Sequence, residues 1–331
     1  MNSQKPVRII ASGKYLPARV SSDELEKKHN LPGGWSEVHS GVSSRHHVSF
    51  ESIGFMGARA IDAALKKANL GLGDIDMIIS AGASFDYPLP NQSSVIKSEL
   101  KDNVLHNVPT LDVDTTCLSF VSAFEIASKM LDGEQYKRIV IVSSEIASKG
   151  LNTQNPETLT LFADGAAAFI LGYDESSPSA FIKAYFKTWS EGFNHTMIRG
   201  GGAVFYFKDY PYDENLHSFE MDGMKMLKLA TKKLPEFLDY VCKDLSITLA
   251  DVNIIIPHQA SKAGLYLFRK MVNLPNDKIK ENIATYGNCI AASIPLLLHD
   301  TIEQNEIKRG DLCMLLGTSA GFSIGALFFR Y

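Results

Sequence analysis

Along this chain the apolar positions switch repeatedly between short unbroken runs and a spacing near 3.6 residues. The first pattern predicts buried strands, and the second predicts helices that pack through one face. "VRIIASGKYLP" reads as a first strand ending in a turn. Residues 51–69 carry Ile53, Met56, Ala60, Ile61, Ala64 and Leu65 at helical spacing. "IDMIISAG" is a short strand, 91–101 a helix, "VPTLDVD" a strand, and 118–131 a helix with Phe120, Ala123, Phe124, Ala127 and Leu131 on one side. "RIVIVSSE" and "AAAFILGY" follow as strands. The second half repeats the rhythm. "AFIKAYFKTW" is a strand, 222–243 a long amphipathic helix, "DVNIIIPH" a strand, 260–273 and 290–305 helices, and "DLCMLLGTS" and "FSIGALFFR" closing strands. Strands alternating with helices predict an α/β layer with right-handed crossovers, and the repeated order predicts a duplicated fold. Only 190–221 breaks the pattern, as an aromatic loop containing "GGGAVFYFKDYPYDEN". Loops of that length usually wall a binding site.

A length of 331 residues exceeds one ordinary core, and we divide the chain into halves at 1–175 and 176–331. A net charge of −4 leaves no basic footprint for nucleic acid. No apolar run approaches the roughly 18–20 residues of a membrane span, and "MNSQKPVRII" has no signal-peptide core. Four cysteines (Cys117, Cys242, Cys289 and Cys313) show no CxxC spacing. They suit a reducing compartment, so the expected location is cytoplasmic.

Three polar residues then change the picture. Cys117 follows "LDVDTT", His258 follows "VNIIIP", and Asn288 lies in "TYGNCIAASIP" just before a helix. Singly, a cysteine is a common core residue and an asparagine after glycine a common turn residue. Together they stand at the carboxyl ends of strands, where ligand sites of α/β sheets gather. At a helix start, Cys117 is expected to gain thiolate character from free N–H groups and the helix dipole. A thiolate exchanges acyl groups with thioesters. His258 and Asn288 could both donate to one carbonyl oxygen and so stabilise an enolate. The same residue types also form a hydrolase triad, which is the remote alternative.

At these positions the sequence resembles the β-ketoacyl-acyl-carrier-protein synthase III family of the thiolase superfamily. The resemblance spans essentially the whole chain: "GGWSEVHSGVSSRHH", "DTTCLSF", "FADGAAAFIL", "PHQAS", "YGNCIAASIP" and "SAGFSIGALFFRY", in that order. It implies a five-layered αβαβα fold, a homodimer, and no metal or redox cofactor. It implies acylation of Cys117 followed by decarboxylative condensation with a malonyl thioester on acyl carrier protein. His258 and Asn288 would hold the malonyl thioester carbonyl, and the N–H groups of Cys117 and Ala320 would form the oxyanion hole. The implied substrate contacts are Trp35, Leu89, Phe162, Gly223, Ser261 and Phe322. Lys225, Lys228, Lys262, Arg269 and Lys270 are the candidates for docking an acidic carrier protein.

The departures point to a specialised member serving secondary metabolism. His39 stands four residues after Trp35 and Pro156 six before Phe162, where the family carries arginines that hold the nucleotide of coenzyme A. Neither replacement offers a bidentate phosphate clamp, so the primer is expected on a carrier protein. Ser261 replaces an asparagine, Ser319 and Ala320 replace glycines, Cys289 replaces a threonine, and Ala263 replaces a docking arginine. Leu89 is expected to reach across the dimer into the acyl pocket. No glutamate lies between Phe85 and Gln92, where relatives that join two acyl chains carry a base. The nearer alternatives are a same-fold acyltransferase and a condensing enzyme that accepts a β-ketoacyl thioester without malonyl extension.

Overall fold

In the computed structural model, which describes residues 4–331, the chain opens with β1 (Val7–Tyr15). A small antiparallel pair follows, β2 (Ala18–Ser21) and β3 (Ser44–His47), enclosing α1 (Ser22–Lys28) and α2 (Trp35–His39). Next come α3 (Ile53–Ala68), β4 (Met77–Ala81), α4 (Gln92–Ser98), β5 (Thr110–Val113), α5 (Ser119–Met130), β6 (Arg138–Ile146), α6 (Pro156–Leu161) and β7 (Asp164–Tyr173). The second half holds β8 (Ala180–Thr188), β9 (Thr196–Met197), α7 (Glu214–His217), β10 (Glu220–Met221), α8 (Gly223–Leu245) and β11 (Ile254–Pro257). It closes with α9 (Lys262–Val272), α10 (Ile283–Tyr286), α11 (Ser293–Glu303), β12 (Leu312–Ser319) and β13 (Ser323–Arg330).

The duplication is visible in the strand order. One sheet runs β1-β7-β6-β4-β5 and the other β8-β13-β12-β11. The parallel pair β4/β6 matches β11/β12, and the antiparallel pairs β6/β7 and β7/β1 match β12/β13 and β13/β8. In place of β5 the second half has a single parallel bridge, Ile255 to Ile279.

Alternation along each strand builds the layers. Ile78, Val140, Val142, Ala166, Ala168 and Ile170 face Met56 and Ile61 of α3. Their neighbours Ile79, Ile139, Ile141, Ala167 and Phe169 turn the other way, onto α5 and α11. Ile254, Ile256, Cys313, Leu315, Leu327 and Phe329 meet the same two helices from the second sheet. The opposite face of that sheet, with Ile255, Met314, Leu316, Ile324 and Phe328, packs on α8 and α9 through Phe237, Leu238, Val241 and Phe268. The result is the thiolase-like αβαβα stack. Strands buried on both faces explain why they read as apolar runs rather than as alternation.

The 190–221 segment is less irregular than its sequence. β9 pairs with β10 at its base, while Val204, Phe207 and Tyr212 remain exposed at its tip. Near the first sheet, β1 and α3 touch through Gly13. A Cβ added there would lie 2.4 Å from the Ala60 carbonyl oxygen and 2.5 Å from the Ala64 nitrogen. Backbone atoms cannot swing aside as a side chain can. Gly13→Ala is therefore expected to cost about 2–3 kcal/mol, read as a lower denaturant midpoint at unchanged slope.

Candidate active site

Two corresponding turns carry the nucleophile candidate and the asparagine. After β5, Asp114 Oδ1 accepts from Thr116 N–H at 2.8 Å, and Ser119 Oγ accepts from Thr115 N–H at 3.0 Å. Before α11, Asn288 Oδ1 accepts from Ile290 N–H at 2.9 Å, and Ser293 Oγ accepts from Cys289 N–H at 2.9 Å. Both turns force a β-branched residue into the left-handed region, Thr116 at φ +51° and Ile290 at φ +49°. Such conformations cost of order 1–3 kcal/mol and persist where surrounding contacts over-determine them. Here the paired side-chain bonds do so. Cys117 thus lies in a 3-10 turn, Thr116–Leu118, one turn ahead of the α-helix proper. The shared signal was legible: Asp114 and Asn288 each precede a serine by five residues, Ser119 and Ser293.

The two turns pack against each other, and β12 packs on the nucleophile turn. Gly317 of β12 sits between the pieces. A Cβ there would stand 3.0 Å from both His258 Cβ and Leu118 Cδ2. From the far end of the same hairpin, the Ala320 N–H points to the Cys117 sulfur, as does Cys117's own N–H. Asn288 Nδ2 donates to the Ala260 carbonyl at 3.3 Å, beside the His258 turn. The fold therefore brings the turns that carry Cys117, His258, Asn288 and Ala320 next to one another.

The electrostatics correct one expectation. The helix start does not depress the Cys117 thiol. Burial pushes it up to about 12, and the charge of Glu145 adds to the rise, with Asp114 contributing further. The N–H groups of Ala320 and Cys117 act in the opposite direction and are outweighed. Desolvation of the charged form is the larger effect. His258 is also buried, which lowers its imidazole to about 4 and keeps it neutral. Its Nδ1 has no protein partner, so a ring nitrogen is free for a ligand. A neutral imidazole and a carboxamide NH2 can each donate one hydrogen bond without a competing positive charge.

The other expected site residues separate into three groups. Trp35 is half-buried and stacks on His39 with centroids 4.0 Å apart and planes at 13°. Gly223 opens α8 with the Met221 methyl 3.8 Å from where a Cβ would stand, and Leu89 projects into solvent at 86% exposure. Three positions also have partners within the protein. Ser261 caps α9, its Oγ accepting from Gly264 N–H at 3.0 Å. Phe162 is buried against Phe219, with centroids 4.7 Å apart. Phe322 is wholly buried against Trp189, at φ +47°. All three side chains pack or cap within the chain.

Among the basic residues, Arg269 has partners within the protein. It donates to the Asn276 and Ile279 carbonyls at 3.0 and 2.6 Å and pairs with Glu281. Lys225 pairs with Asp222 at 2.8 Å, and Lys270 lies over the Tyr266 ring. Lys228 and Lys262 are exposed. The Lys262 stem covers Gly41, which joins the Trp35 segment to the start of α9. Pro156 occupies the first turn of α6 behind an Asn155 cap, a position suited to proline's fixed φ.

Comparison with known proteins bears on the family and the fold. The profile of 3-oxoacyl-[acyl-carrier-protein (ACP)] synthase III matches residues 111–190, and that of its C-terminal region matches 242–331. The β-ketoacyl-[acyl-carrier-protein] synthase III of Neisseria meningitidis serogroup B is 30% identical over 326 residues, covering 98% of this chain and 99% of that protein. The crystal structure of 3-oxoacyl-[acyl-carrier-protein] synthase III from Aquifex aeolicus superposes with a TM-score of 0.86 at 26% identity, covering 99% and 100% of the two chains. A priming β-ketosynthase from a polyketide biosynthetic pathway shares the fold, with a TM-score of 0.87 at 20% identity over 100% of this chain and 97% of that one.

Proposed function

The chain belongs to the 3-oxoacyl-[acyl-carrier-protein] synthase III family, and from that premise we propose how its recess carries out acyl transfer and condensation. It is an acyltransferase of the condensing class, acting on carrier-protein thioesters. The Cys117 sulfur attacks the carbonyl of an acyl thioester. A new C–S bond forms, the bond to the donor sulfur breaks, and the donor leaves as a thiol with the Cys117 proton. A malonyl thioester then enters with its carbonyl oxygen between His258 and Asn288. Loss of carbon dioxide leaves the electron pair of the broken C–C bond as an enolate, which these two donors stabilise. The carbanion attacks the acyl carbonyl on Cys117. The oxyanion is held by the N–H groups of Cys117 and Ala320, and collapse returns the Cys117 thiolate, which takes a proton from solvent.

The observation that carries this reading is the pairing of two kinds of donor across one recess. Two backbone N–H groups converge on the sulfur, and a neutral histidine and an asparagine stand on the adjoining turns. A neutral His258 suits enolate stabilisation because it can donate without first losing a proton.

The primer is delivered by carrier protein rather than by coenzyme A. His39 lies flat on Trp35 where an arginine clamp would be needed, and Pro156 opens a helix without any phosphate-binding side chain. Lys228 and Lys262 then remain as the contacts for the acidic carrier. A second copy of the chain covers the segment of Phe85, Tyr87 and Leu89, all three largely exposed, and Leu89 completes its acyl pocket. The donor is tested by measuring acylation of Cys117 from matched acyl-coenzyme A and acyl-carrier protein. The carrier thioester is expected to react at least about tenfold faster, the equivalent of losing one good phosphate contact. Equal or faster reaction from the coenzyme A ester contradicts the assignment.

A further inference from the structure

The turn that carries Cys117 and the turn that carries Asn288 are built alike, and each ends on a buried serine. Thr116–Leu118 and Ile290–Ala292 are short 3-10 turns that lead into α5 and α11. Ser119 and Ser293 are the first residues of those helices, and both are buried. A buried hydroxyl is costly unless its hydrogen bonds are made. Each serine accepts one and donates one, and the donated bonds reach different parts of the site.

Ser119 Oγ accepts from Thr115 N–H at 3.0 Å and donates to the Thr116 carbonyl at 2.6 Å. That carbonyl belongs to the same planar peptide as the Cys117 N–H, and in a trans peptide the two groups point in opposite directions. Fixing the carbonyl therefore fixes the direction of the N–H. Thr116 stands at φ +51°, a region that a β-branched residue rarely adopts unaided. Without the serine bond, this peptide is free to turn toward a more relaxed geometry.

Ser293 Oγ accepts from Cys289 N–H at 2.9 Å and donates to Asn288 Oδ1 at 3.4 Å. Ile290 N–H donates to the same Oδ1 at 2.9 Å. Two donors on one end of the carboxamide fix which end is oxygen. Nδ2 is thereby turned toward the Ala260 carbonyl, 3.3 Å away. One of its two hydrogens is used there, and the other is left for a ligand.

We propose that Ser119 and Ser293 are positioning residues with separate tasks: Ser119 aims the Cys117 N–H at the acyl carbonyl, and Ser293 aims the Asn288 carboxamide at the malonyl carbonyl. The proposal rests on the roles of Cys117 as nucleophile and Asn288 as enolate donor. Ser119 then serves every step in which the acyl carbonyl gains charge, whereas Ser293 serves decarboxylation alone.

The division is testable by half-reaction. Acylation of Cys117 from acyl-carrier protein is followed by intact mass. Carbon dioxide release from malonyl-carrier protein is followed on enzyme that has first been fully acylated. Ser119→Ala should slow acylation about five- to tenfold, the loss of one ordinary hydrogen bond. Its alkylation by iodoacetamide at Cys117, which develops no oxyanion, should stay at the wild-type rate. Ser293→Ala should acylate at the wild-type rate and release carbon dioxide about five- to tenfold more slowly. Ser119→Thr and Ser293→Thr keep the hydroxyl and should restore most of each rate. A purely structural role predicts that every step slows alike, alkylation included. That result overturns the proposal, as do unaltered rates in the alanine variants or threonine variants as slow as the alanine ones. The serines lie on different helices, so if one alanine variant does not fold, the other decides. Wild type that takes up no acyl group on Cys117 overturns the proposed function itself. Wild-type acylation and condensation without the split between variants overturn only the roles of the two serines.

Discussion

Cys117→Ala is expected to take up no acyl group and to lose condensation by about 10⁴-fold or more, since the covalent step has no substitute nucleophile. The other cysteines do not rescue it. Cys289 and Cys313 are buried, with thiols raised further by burial. Cys242 lies on α8, outside the recess. Intact mass after incubation with acyl-carrier protein reads the result directly. Wild type should gain one acyl group and the variant none. The substitution removes only the sulfur and leaves the Asp114–Ser119 turn intact, so the thermal midpoint should stay close to that of wild type.

The second large effect separates the two half-reactions. His258→Ala and Asn288→Ala should each still accept the acyl group on Cys117, yet lose condensation by about 10²–10³-fold, the usual cost of removing one donor from a developing oxyanion. The reason lies in geometry. Both residues sit on turns next to the sulfur, while the N–H groups that serve the acyl carbonyl belong to Cys117 and Ala320. Loss of acylation in either variant would mean that His258 or Asn288 acts on the sulfur instead. Asn288 also organises its own turn through Ile290 N–H. Asn288→Asp, which retains that acceptor, separates loss of the donor from loss of the turn.

Much of this arrangement was legible in the amino-acid sequence. The long strands were readable because most of their residues are buried and appear as apolar runs, α3 and α8 because each carries an apolar stripe, and α5 and α11 because they are apolar segments buried on most sides. The short elements around Trp35, α1 and α2 with the β2/β3 pair, were not, because pieces of four to seven residues are too short for either period to show. The same contrast holds at the site. Cys117, His258 and Asn288 could be singled out because each stands at a strand end with a side chain suited to thioester chemistry. The raised thiol could not, since it depends on burial and on Glu145, which arrives from a different strand. The packing of Phe322 and Phe162 and the capping by Ser261 were not legible for a related reason. A motif preserves a residue whether it touches the substrate or supports what does, and only packing distinguishes the two roles. Arg269 shows the same for charge, since its guanidinium is occupied by the 276–281 backbone and Glu281.

The central claim is that Cys117 carries an acyl group into a decarboxylative condensation governed by His258 and Asn288. A single-turnover experiment on pre-acylated enzyme tests it most directly. Malonyl-carrier protein is added, and the carbon dioxide released and the acyl mass remaining on Cys117 are followed together. One equivalent of carbon dioxide should appear as one acyl group leaves Cys117, and His258→Ala and Asn288→Ala should keep the acyl group and release little gas. Departure of the acyl group without carbon dioxide would contradict it, and would identify the chain as a transferase or hydrolase built on the same fold.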